Sequence, residues 1–194
     1  ADDMIITGTV NADNGGGGTD GIVTLQAITA GQVIDLGSNP GTPATHLGLD
    51  DAELDNVTTN NAVRIGSTSN TGGISVTGQI TQADSGYTTL HLITGGAITD
   101  GTVGEQADIT VTNLALEGAT GVGVGNNIDF DATTVSFTNT SNGVELNDTA
   151  SGIAIGLIDG ITSNTAAGLT LVSAAAVTDA SGAVTNVTGD ASVT

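Results

Sequence analysis

The sequence predicts an all-β chain wound as a parallel β-helix, a solenoid in which each coil adds one rung to its sheets. Short cores alternate apolar and polar residues, as Ile74-Ser75-Val76, Leu90-His91-Leu92, Ile109-Thr110-Val111 and Ile153-Ala154-Ile155 do; this is the period-two signature of half-buried strand. Such cores, marked at Leu54, Ile74, Leu90, Ile109, Ile128, Ile153, Leu169 and Ala191, recur about every 20 residues. No long stretch carries helical periodicity with caps, so helix is expected to be nearly absent. Sandwiches and propellers want tight hairpins and aromatic anchors, whereas aromatics make 2% of this chain and its connectors are long and polar. The spacing therefore predicts about nine or ten coils of roughly 20 residues, with small aliphatics stacked in ladders, and a rod roughly 45 Å long at a strand spacing near 4.8 Å.

Internal repeats justify the elements in turn, within one domain spanning 1–194. Residues 6–13 read ITGTVNAD, matched by VTGQITQAD at 76–84 and more loosely by IDGIT at 158–162. Residues 23–35, VTLQAITAGQVID, correspond to LHLITGGAITD at 90–100 and LTLVSAAAVTD at 169–179. The repeated blocks thus fall near 6–35, 76–100 and 158–179. Between the first two, residues 38–47 hold both prolines, Pro40 and Pro43, together with His46, and are expected to protrude as a loop. NAVRIG at 61–66 pairs with NGVELN at 142–147, which makes Glu145 the repeat equivalent of Arg64 on one outer face. Val144 to Asp148 is expected to add a strand or widen a coil, and DITVT at 108–112 is echoed by DASVT at 190–194. Connectors of Gly, Asn, Asp, Ser and Thr supply the turn conformations between cores.

Charge removes several functions. Against 21 acidic residues stands one basic residue, for a formal net charge of −20. Nucleic acid is excluded as a direct ligand because a phosphate backbone needs a basic footprint, and anionic membrane surfaces fail for the same reason. Without lysine there is no Schiff-base or lysine general-base chemistry. Without cysteine there are no disulfides and no thiolate metal sites. No apolar run approaches the length of a spanning helix, so membrane insertion is not expected. The first residues lack the pattern of a signal peptide, and the missing initiator Met suggests a chain processed or cut from something longer.

The segments DAELDNVTTNNAVRIGS, GISVTGQI, LHLITGGAITD, ITVTNLALEGATGVGVGNNIDF and VSFTNTSNGVEL resemble the repeat region of filamentous-haemagglutinin-like giant adhesins, secreted by bacterial two-partner systems and related autotransporters. The resemblance covers most of the chain from Ile22 onward. It implies a right-handed parallel β-helix, export to the cell surface or medium, and a role in adhesion, aggregation or biofilm matrix. It carries over no catalytic or receptor residue.

Several constellations bear on ligand binding and assembly. Gly15 to Val23 reads GGGGTDGIV, the pattern of a calcium β-roll turn, but the roll needs a second copy nine residues away and Ile6 to Asn14 is not one, so a plain glycine turn is the favoured reading. Asp50, Asp51, Glu53 and Asp55 form the densest acidic patch. Asp13, Asp20, Asp50 and Asp51 are accordingly the candidate ligands, for calcium only; no other cofactor is expected. Arg64 is expected to pair with stacked acids, and His46 and His91 to lie on the surface. Asn56, Asn139, Asn147 and Asn186 begin glycosylation sequons. Met4, Ile5 and Ile6 at one end, and Ala191 and Val193 at the other, are the expected self-association residues. They would join coils head to tail, since neither end shows a cap. The function these features predict is a non-catalytic extracellular rod, structural or adhesive, which contacts further copies and host or cell-surface glycans. Two alternatives are a polysaccharide-acting β-helix enzyme using the acidic patch as acid and base, and a calcium-dependent surface module.

Overall fold

Alternation sends every second side chain of a strand to the same face, and parallel stacking in register turns each face into a ladder. The computed structural model describes residues 4–15, 20–38, 46–82, 86–104, 106–180, 182–183 and 185–194. In chain order these hold β1 (Val10–Asn11), β2 (Val23–Leu25), β3 (Ile34–Leu36), β4 (Leu47–Leu49), the single-turn helix α1 (Asp51–Leu54) and β5 (Val57–Thr58). There follow β6 (Ala62–Ser67), β7 (Ile74–Val76), β8 (Ile80–Thr81), β9 (Thr89–Thr94), β10 (Ile98–Asp100), β11 (Ile109–Gly118), β12 (Ile128–Thr138) and β13 (Val144–Asp148). The last are β14 (Ile153–Ile155), β15 (Asn164–Ala166), β16 (Leu169–Ser173), β17 (Val177–Asp179), β18 (Thr185–Val187) and β19 (Ala191–Val193).

Every strand pairing among the described residues is parallel, which makes the chain an all-β solenoid. On a first face, Val23, Val63, Leu90, Leu114 and Val135 are successive partners, with Leu25, Ile65, Leu92, Leu116 and Phe137 beside them. On a second, the ladder runs Leu47, Ile34, Ile74, Ile98, Val122, Val144, Leu169 and Ala191. On a third it runs Ile80, Ile109 and Phe130, then turns polar at Asp148 and Ser173. The first two ladders and the aliphatic part of the third meet in one hydrophobic core. In buried Asp148, Oδ2 accepts from the Gly152 N–H at 3.0 Å and from the Ser173 hydroxyl, while Oδ1 is buried without a partner.

From Ile74 to Ala191 on the second face the solenoid makes about five turns, with β3 and β4 stacked before them, and not the nine or ten expected. Along the first face, Ile65, Leu92, Leu116 and Phe137 stand in register at separations of 27, 24 and 21 residues. The evenly spaced cores belong to different faces: Ile74 and Leu169 to the second, Leu90 and Ile153 to the first, Ile109 and Ile128 to the third. A step of about 20 residues therefore counted faces along with coils.

The amino-terminal end also departs from expectation. Of the loop expected at 38–47, residues 39–45 lie outside the described residues, and Leu47 already begins β4. β4 stacks on the outer side of β3 although it follows β3 in sequence, so the second sheet runs β10-β7-β3-β4. Helix α1 follows it directly. Its N-cap Asp50 accepts from the Glu53 N–H at 2.9 Å, and the Glu53 carboxylate accepts from the Asp50 N–H at 3.1 Å, a capping box. Leu54 is buried in the core. The Ile6 N–H donates to the Glu53 carboxylate and the Asn56 amide donates to the Ile6 carbonyl, so the first segment is laced onto the helix. The uncapped end expected from the sequence is here covered by α1 and residues 4–6.

No helix among the described residues is long and apolar enough to cross a membrane. Replacing Leu92, wholly buried at mid-ladder, with Ala is expected to cost about 2–5 kcal/mol in urea unfolding. Ile28→Ala, at a side chain 87% exposed, should stay within about 0.5 kcal/mol.

Candidate functional site

Two clusters of titratable side chains stand out, one under a loop that leaves the first face and one at a corner between coils. The first lies on the first face. Its outward ladder is Thr24, Arg64, His91, Ala115 and Ser136. β12 pairs with β14 at Thr134–Ala154 and Val135–Ile155, and with β15 at Thr138–Thr165. Between β14 and β15, residues 156–163 leave the rung. Asn164, fully buried, fills the gap: its Oδ1 accepts from the Phe137 N–H at 2.8 Å and the Ser136 hydroxyl at 3.0 Å. Its amide donates to the Gly156 carbonyl at 2.8 Å and closes the neck of the excursion.

At the tip, the Ile161 N–H bonds the Ile158 carbonyl at 3.0 Å across Asp159 (φ 46°) and Gly160 (φ 94°). Two successive positive φ angles suit the Asp-Gly pair. Ile158 and Ile161 pack on Ala115 in a small cluster of their own, and the turn brings Asp159 down to Arg64 and His91. Arg64 Nε and Nη2 each lie 2.7 Å from an Asp159 oxygen, a bidentate pair. His91 Nδ1 lies 2.8 Å from Asp159 Oδ2, while Nε2 is 3.7 Å from Glu117 Oε1, buried and without a hydrogen-bond partner. Burial pulls the Asp159 carboxyl upward, but the bonds and charges of Arg64 and His91 outweigh it and hold the group below its usual range. The nearby His91 ring lowers Glu117 likewise, against partial burial. His91, expected on the surface, is thus only 2% exposed, because a segment 68 residues away in sequence covers it. Arg64 pairs with this loop acid and not with acids of neighbouring rungs. Glu145 sits on the second face, where it accepts from the Gly125 N–H, and is no equivalent of Arg64.

The second cluster joins Asp100 at the end of β10, Asp108 just before β11 and Asp129 in β12. Each offers a carboxylate oxygen within 4.8 Å of the others. The Thr102 hydroxyl stands between Asp100 Oδ1 (2.9 Å) and Asp108 Oδ2 (2.8 Å), with one proton for two acceptors. The Asn147 amide donates to Asp129 Oδ1 at 2.7 Å. Burial, then the charges of Asp100 and Asp129, push the Asp108 carboxyl to about 6, with the Thr102 bond opposing. These all-oxygen donors suit a hard cation such as calcium. Beside them lies a cleft lined by Gln79, Thr102, Val103, Gly104 and Gln106.

The acids singled out in the sequence do other work. Asp50 caps α1, and Asp51 accepts from the Thr81 N–H at 2.7 Å. Asp13 accepts from the Gly15 N–H and Asp20 from the Asn14 N–H, ordering their own turn; residues 16–19 of that turn lie outside the described residues. None of the four belongs to the cation cluster found among the described residues. His46 is half-buried. Of the sequons, Asn139 is 4% exposed and its amide bonds the carbonyls of Gly118 and Ser141, so it is closed to a glycosyl donor in the folded chain. Asn56 and Asn147 are half-buried and engaged, and Asn186 is exposed. Among the self-association residues, Met4 and Ile6 pack into this chain's own core, whereas Ile5, Ala191 and Val193 are exposed. No protein family, curated protein or solved structure matches the chain.

The folded value of Asp108 lies above its ordinary 3.8, so its ionisation opposes folding. That cost is absent below about pH 4, grows as pH rises through about 6 and is complete above. Asp108→Asn should therefore raise stability at pH 8 by about 1 kcal/mol, after allowance for solvent in the adjoining cleft, and leave it unchanged at pH 4. Thermal melts at the two pH values check this.

Proposed function

We propose that the chain is a stretch of an extracellular rod, structural or adhesive and without catalytic activity, wound right-handed as parallel crossovers overwhelmingly are. The observation that carries this is the open stacking. Among the described residues of the last coil, β17, β18 and β19 each pair with the coil before, and a further coil stacked on them would continue these pairings. That coil belongs either to a longer chain or to a second copy stacked head to tail. At the other end α1 and residues 4–6 lie over the core, and among the described residues β1, β2 and β4 each pair with one neighbour. With Met4 and Ile6 turned inward, the junction rests on backbone pairing more than on apolar contact. The repeat style's resemblance to filamentous-haemagglutinin-like adhesins supports a surface or matrix location and contact with host or cell-surface glycans.

Like-charged rods repel, and added salt relieves the repulsion. Light scattering and electron microscopy of the purified chain should therefore detect end-to-end assemblies that grow from low to moderate salt. Stable monomers throughout would overturn the polymer reading.

The second reading, a calcium-dependent module, is favoured by the convergence of Asp100, Asp108 and Asp129. Calorimetric titration with calcium chloride at neutral pH should give a saturable heat that Asp129→Asn abolishes. No heat with the native chain would remove this reading.

A further inference from the structure

The excursion at 156–163 is fixed at its neck by Asn164 but held at its tip by little apolar surface. Among the described residues, Ile158 and Ile161 resting on Ala115 hold the tip besides the charged cluster, and the Asn186 amide donates to the Ser163 hydroxyl near the neck. We infer that residues 156–163 form a proton-controlled strap, closed over the first face when His91 carries a second proton and loosened when it does not.

The argument starts from the tautomer. Asp159 is held ionised by bidentate Arg64, so His91 Nδ1 at 2.8 Å must be the donor. In the neutral ring Nε2 is then an acceptor. It is buried, lacks a partner, and faces an oxygen of Glu117, also an acceptor, at 3.7 Å. Two acceptors facing each other in a buried site are unfavourable, and a proton at Nε2 turns the contact into a charge-assisted one. The charged groups around the ring come from every element packed on it: Arg64 from β6, Glu117 from β11 and Asp159 from the strap. β12 contributes the uncharged Ser136. With neutral His91 the cluster carries one surplus negative charge, and with protonated His91 it is balanced. Acidification supplies that second proton, so the strap closes as the pH falls. Stronger acid, which neutralises Glu117 and Asp159, opens it. An open strap uncovers Ala115, Ile158, Ile161 and the His91 ring together.

The test is hydrogen–deuterium exchange of the peptides covering 156–163, corrected for intrinsic rates, at about pH 8 and about pH 5.5. Protection in the native chain should be on the order of tenfold greater at the lower pH. In Glu117→Gln the side-chain amide can donate to the neutral ring, so protection at the higher pH should rise to the acid level and the pH dependence should vanish. His91→Asn keeps a donor for Asp159 and lacks the second ring nitrogen; its strap protection should not vary between the two pH values. Peptides of β11 serve as the folding control, and if His91→Asn does not fold, the native chain and Glu117→Gln decide. Equal protection of the native strap at both pH values, or a pH dependence that survives in Glu117→Gln, would overturn the inference.

Discussion

A three-residue strand such as β7 or β10 has no stability of its own. Its backbone groups find partners, and its apolar side chains find cover, only because the coils above and below lie in parallel register with it. Almost everything else in the molecule follows from this dependence. Inward positions must carry residues that stack on copies of themselves, and Val, Ile and Leu do so along most of the first two faces. Outward positions are free to vary, and the corners take the glycines. Several buried polar groups are satisfied where a side chain supplies the bond that the ladder does not. Asn139 illustrates this, donating to two carbonyls and accepting from the Gly143 N–H.

Much of the architecture was legible because alternation is a local signal. A core such as Leu90-His91-Leu92 announces which side chains are internal without reference to the rest of the chain. The number of turns was not legible in the same way. The motif LHLITGGAITD leads from the first face to the second, through β9 and β10, whereas its match LTLVSAAAVTD leads from the second to the first, through β16 and β17. The repeated unit is thus a strand, a corner and a strand, usable at more than one corner, and a repeat of that kind does not number the coils. Helix α1 had a readable sign in the spacing of Asp50 and Glu53, which is that of a capping box. An acidic patch of this density invited a ligand-binding interpretation instead.

The charged clusters were hidden for a different reason. Asp100, Asp108 and Asp129 are each unremarkable in sequence and meet only because successive coils bring them to one corner. His91 alternates outward in β9, and outward ordinarily means solvent. What buries it is a loop whose only local sign is Asp159-Gly160, a turn pair like many others in this chain. Register tells which way a side chain points; it does not tell what arrives later to cover it.

The neck of that loop bears on how such a chain can change over evolutionary time. Solenoids ordinarily accept extra residues at corners, since an insertion within a strand would shift the alternation of everything that follows in that rung. Here one side chain, Asn164, answers the Phe137 N–H left open by the departing backbone and ties the two ends of the insertion together. The strand then resumes in phase at β15. A single amide side chain thus makes the middle of a sheet a port for new sequence, and loops of other lengths could be grafted there without disturbing the coils on either side.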